Sequence, residues 1–138
     1  MPGLFYGMPV IRWLLVPVSA FAVWIAALLL GVGGINALDS LCPPDLLVSG
    51  LCTAWWYQPA TTGLEMMCAG MAAAGVVSVP AQVAPAHRIQ VATIFFIAGA
   101  VFTTSLALAG DLWKPSAAAA LSGTTTLYVC VRRWRAPR

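Results

Sequence analysis

Glu65 is the one ionisable side chain inside a long apolar stretch of this sequence, the run from Thr61 to Val79. A carboxylate in such surroundings is costly to desolvate, so it must be protonated, paired or within reach of water. An ionisable residue inside a membrane span is also a functional hypothesis by default. Three roles suit it: binding a proton or cation in a small transporter, hydrogen-bonding to a partner subunit or sister helix, or reaching from shallow depth to the interface. The segment Glu65-Met66-Met67-Cys68-Ala69-Gly70-Met71 puts Glu65, Cys68 and Met71 at i, i+3 and i+6, with Met67 one turn before Met71. Thioether and thiolate groups suit Cu(I). No histidine joins them, and methionine in a bundle more often fills gaps. Met67, Cys68 and Met71 are therefore expected to be a core stripe rather than a soft-metal site.

The second chemical feature is the pair Cys42 and Cys52, which share the segment between two apolar runs. Facing an oxidising compartment, they are expected to form a disulfide. Closing a loop of about ten residues stabilises it by about 2–3 kcal/mol on the chain-entropy model. The spacing is not C-x-x-C, so a structural staple is expected over a redox-active pair, and no nearby histidine completes a zinc site. In the same segment Leu47, Leu51 and Trp55 recur at i, i+4 and i+8, followed by Trp56. That periodicity predicts a short helix with its apolar face against the membrane interface or a neighbouring protein, capped at its start by Asp45.

These residues sit in a chain of 138, of which 61% are apolar and 8% charged. A soluble domain carries about a quarter charged residues, so this chain cannot clothe a globular surface with ions. The mean hydropathy of +0.89 points the same way. A soluble enzyme, a disordered segment and a nucleic-acid-binding domain are excluded. The formal charge of +3 forms no basic stripe outside the last few residues. A bilayer-crossing helix needs about 20 apolar residues. Four segments qualify, at about 13–36, 61–79, 89–109 and 115–131. The expectation is an all-α integral membrane protein: one four-span domain over 1–138, with an outer loop at 37–60.

The few charges then orient it. Arg12 precedes the first span, His87 and Arg88 separate the second from the third, and Arg132, Arg133, Arg135 and Arg138 follow the fourth. Asp39 and Asp45 lie between the first two spans, Asp111 and Lys114 between the last two. With all six arginines on one side, the positive-inside rule predicts an up-down-up-down bundle with both termini cytoplasmic. Trp13, Trp55, Trp56, Tyr57, Trp113 and Trp134 fall at span ends, as in an aromatic belt. The first apolar run exceeds the about 7–15 residues of a signal-peptide core, and Ile35-Asn36-Ala37 is a poor cleavage site, so a permanent anchor is expected. The alanine-rich composition suggests a high-GC bacterial genome. The expected address is the bacterial inner membrane, multi-pass.

Prolines mark the expected joints: Pro43-Pro44 after span one, Pro80 and Pro85 around a short inner loop, Pro115 and Pro17 in first turns. Small residues mark the expected helix contacts: Ala69/Ala73 and Gly70/Ala74 on span two, Ala119 and Gly123 on span four, Gly31 to Gly34 on span one. Phe95, Phe96 and Phe102 are expected to face lipid or a partner. Thr103, Thr104 and Ser105 are expected to return hydrogen bonds to the preceding turn. Cys130 is expected to be a reduced core thiol. There is no phosphate-cradling glycine loop, no H-E-x-x-H, no Ser/His/Asp set and no paired carboxylates. No cofactor is expected either, since no span carries a histidine for haem. The expected function is a non-catalytic accessory or structural subunit of a larger inner-membrane complex, its partners being the lipid bilayer and other membrane subunits or copies of itself. The alternative is a small oligomeric transporter or channel using Glu65.

Overall fold

The computed structural model describes residues 7–110 and 112–135. Asp111 and Arg138, two of the charges used above for orientation, lie outside the described residues. Four helices carry the fold: α1 (Gly7–Ser40), α2 (Tyr57–Val83), α3 (Arg88–Gly110) and α4 (Trp113–Arg135). Each reaches beyond the apolar run that predicted it, because hydropathy marks the lipid-compatible part of a helix and not its hydrogen-bonded ends. Between α1 and α2 the chain makes a 3-10 turn (Pro44–Leu46) and a hairpin of β1 (Leu47–Val48) and β2 (Leu51–Cys52).

Three helices are long and apolar enough to cross a membrane, over 31, 27 and 23 residues in α1, α2 and α3. The fourth has the length, 23 residues, but not the composition. Ser116, Ser122, Thr124, Thr125, Thr126 and Tyr128 dilute its apolar run, and Arg132, Arg133 and Arg135 close it. The expected fourth span is thus a real helix whose apolarity falls short.

The contacts make α2 the hub. It packs on α1, α3 and α4, whereas α1 makes its substantial contacts with α2 alone. Small residues create the room. A β-carbon at Gly34 would lie 2.6 Å from Leu64 Cδ2, one at Gly31 3.8 Å from Cys68 Sγ, and one at Gly75 would overlap Val23 Cγ1. Residue numbers therefore rise along α1 as they fall along α2. On its opposite flank α2 meets α4: a β-carbon at Gly70 would be 3.7 Å from Ser122 Cβ, and one at Gly123 3.8 Å from Ala73 Cβ. The Ser122 hydroxyl donates to the carbonyl of Gly70 at 2.8 Å, and the Ser116 hydroxyl to Thr103 O of α3 at 3.1 Å. The hydroxyls of α3 bond to their own helix, Thr103 and Thr104 to Ala100 O and Ser105 to Val101 O.

The core gathers at the arginine-bearing end, where Val16, Val77, Ala81, Ala84, Val91 and Ala92 are buried together. Pro80 is the largest fully buried side chain. It stands inside α2, which continues to Val83, so the inner turn is shorter than two bounding prolines suggest. Pro17 likewise lies within α1 rather than in its first turn, because that helix already begins at Gly7. Phe95 and Phe96 pack against the core, and Phe96 lies over Gly123. Only Phe102 of the three is exposed. Size alone says nothing about which face a phenylalanine takes, and the cavity opposite Gly123 decides it.

Much surface is left over. The chain exposes 9642 Å², against roughly 6,900 Å² for a compact soluble monomer of the same mass. Among the described side chains of α1 only a narrow stripe, Val16, Ala20 and Ala27, is buried, and Leu14, Val18, Phe21, Leu29 and Val32 are all exposed.

Candidate functional site

Glu65 stands eight residues after the start of α2, about 12 Å along the helix at 1.5 Å per residue. Its side chain is exposed, so it points away from the other three helices. Among the described residues it has no hydrogen-bond or ion-pair partner. Ala69 and Ala72, at i+4 and i+7, continue the same face and are only half-buried. A carboxylate therefore heads a strip of small side chains that the other helices cover only in part.

Cys68 turns toward α1 and sits over Gly31, while Met67 is 55% exposed and Met71 44%. The expected core stripe is thus divided: 100° per residue carries the two methionines round the helix, past the Cys68 contact and out to the surface. Met67 instead lines a groove of about 340 Å³ between α1 and α2, with Gly34, Leu38, Leu41, Gly63 and Leu64. Among the described residues no three His, Cys, Asp or Glu side chains cluster as a metal site would require.

The segment between α1 and α2 holds the Cys42–Cys52 disulfide, with the Cα atoms 6.0 Å apart. The expected interfacial helix is absent from it. Ser49 and Gly50 both have positive φ, 53° and 80°, the backbone of a two-residue hairpin turn and one that no α-helix can contain. Leu47 pairs with Cys52 and Val48 with Leu51. Adjacent pairs point to opposite faces of a hairpin, so Leu47 and Leu51 do not share a face as the i, i+4 spacing predicted. Asp45 lies inside the 3-10 turn, and Pro43 takes the capping position. The Thr53 amide and hydroxyl both donate to Leu46 O, at 3.0 and 2.8 Å, closing the base of the hairpin. Apolar side chains nevertheless cover this end: Leu51 is 71% exposed and Trp55 88%, whereas Trp56 is half-buried.

One polar contact here escaped the sequence reading. The Tyr57 hydroxyl, at the start of α2, donates to the Asp39 carboxylate in the last turn of α1. Eighteen residues separate the partners, so no local spacing could have revealed the pair.

At the other end, His87 closes the turn into α3 with φ of 55°. Arg88 follows, its Nε 3.4 Å from Ala84 O. A cleft of about 500 Å³ opens there, lined by His87, Arg88, Ile89 and Gln90 on one side and Trp134 on the other. Cys130 is a free, buried thiol one turn before Trp134. Comparison with protein-family models, with curated proteins and with solved structures finds no match.

Proposed function

We propose that the chain is an accessory subunit of a larger bacterial inner-membrane complex, without catalytic chemistry of its own. In this reading all four helices span the bilayer up-down-up-down, and both termini are cytoplasmic. The observation that carries it is the outward aim of Glu65. A carboxylate facing lipid is unfavourable, so its site is complete only when a donor from another helix reaches it. Ala69 and Ala72 beside it leave space for that helix to approach closely. Support for the topology comes from the arginines: Arg12, Arg88, Arg132, Arg133 and Arg135 lie at one end of the helices, Asp39 and Asp45 at the other. The exposed hairpin gives the complex a second, periplasmic handle.

The alternative, a small oligomeric transporter, draws on the same residue, because in a homo-oligomer Glu65 would face a second copy. Purification in mild detergent separates the two. A stoichiometric companion chain is expected. A chain that runs only with copies of itself, and loses proton-coupled flux on Glu65→Gln, would move the assignment to transport.

A further inference from the structure

The cleft at the arginine-bearing end is untouched by the outward face of α2, and its chemistry differs. We propose that it is a binding site for the phosphate-bearing headgroup of an anionic phospholipid. The inference rests on the membrane reading above, which places this end at the cytoplasmic leaflet.

Two features of the cleft select an anion. Its polar lining is His87, Arg88 and Gln90, all donors and all exposed. Arg88 is held against the end of α2 through its Nε, leaving its terminal nitrogens for a ligand. Competition is also missing: Asp39, Asp45 and Glu65 are at or toward the hairpin end of the helices, so no carboxylate among the described residues neutralises the cleft. Arg132, Arg133 and Arg135 surround Trp134 along the last turn of α4 and add to the same field.

Two further features select a lipid over a free anion. Ile89 and Trp134 give the cleft an apolar edge, and Trp134 is anchored by packing against the core. Above them the exposed α3 side chains Ile94, Ile97 and Val101 follow at helical spacing, an apolar track on which acyl chains can lie. A headgroup in the cleft with tails along α3 matches donor to phosphate and apolar face to chain.

The test is native mass spectrometry of the full chain, purified in mild detergent and titrated with phosphatidylglycerol, phosphatidylcholine or inorganic phosphate. Retention of phosphatidylglycerol over phosphatidylcholine is expected. Arg88→Gln should weaken that retention about fivefold, and Arg12→Gln, which removes the same charge at the same end but outside the cleft, should leave it unchanged. Equal retention of the two lipids, or equal weakening by the two variants, overturns the site. Displacement of the lipid by millimolar phosphate reassigns it to a free ion and likewise overturns the lipid assignment. Resistance of the chain to alkaline carbonate extraction reports separately on membrane integration. A chain that is extracted refutes the membrane reading, whereas one that resists extraction without lipid preference refutes the cleft alone.

Discussion

Single glycines set how closely α1 and α2 approach, and their substitution gives the most local predictions. At Gly75 a β-carbon would overlap the branched Val23 side chain, whose rotamer is stiff in a helix. Gly75→Ala is expected to destabilise the fold by about 1–3 kcal/mol, the usual cost of overpacking. Gly99 has nothing within 4 Å of the same position, so Gly99→Ala should be neutral or stabilise by up to about 1 kcal/mol through helix propensity. Thermal unfolding in detergent checks both, and an equal effect of the two variants would contradict the close α1–α2 contact. The Tyr57–Asp39 bond makes a prediction at the same scale: Tyr57→Phe removes it and should lower the unfolding midpoint in detergent. An unchanged midpoint would show that the bond contributes nothing.

The elements were legible to different depths. Apolar runs about 20 residues long announced α1, α2 and α3 directly, since a helix is the one open chain form that satisfies its own backbone in lipid. The hairpin was not legible, because Leu47, Leu51 and Trp55 fit a helical period while the deciding signal, Ser49-Gly50, is two residues long. Faces were legible only where small residues marked them: Gly70, Ala73 and Gly123 do meet between α2 and α4. Met67, Met71, Phe95 and Phe96 took faces that their size and polarity leave open. The hairpin also carries a prediction. Cys42 and Cys52 close a ten-residue separation, so Cys42→Ser should cost about 2–3 kcal/mol of local stability. Hydrogen exchange should then accelerate over Leu47–Thr53 and stay unchanged in α2 and α3. Acceleration throughout α2 would mean that the disulfide supports the whole bundle instead.

Across the whole molecule, packing is uneven, and that asymmetry underlies the functional proposal. The buried cluster ties all four helices together at the arginine-bearing end, with Leu127 and Trp134 of α4 against Val16, Val77 and Val91. Toward the hairpin end α1 and α2 leave an open groove beside Met67, and Glu65 faces outward on α2. The sequence identified Glu65 as the one carboxylate within a span, but its direction depends on which α2 faces α1 and α4 occupy, and that is a tertiary fact. The most direct measurement is the mass of the particle purified in mild detergent, taken for the wild type and for Glu65→Gln. The expected result is a stoichiometric second chain with the wild type and its loss, at least several-fold, in the variant. A wild-type particle containing only this chain would contradict the accessory-subunit assignment.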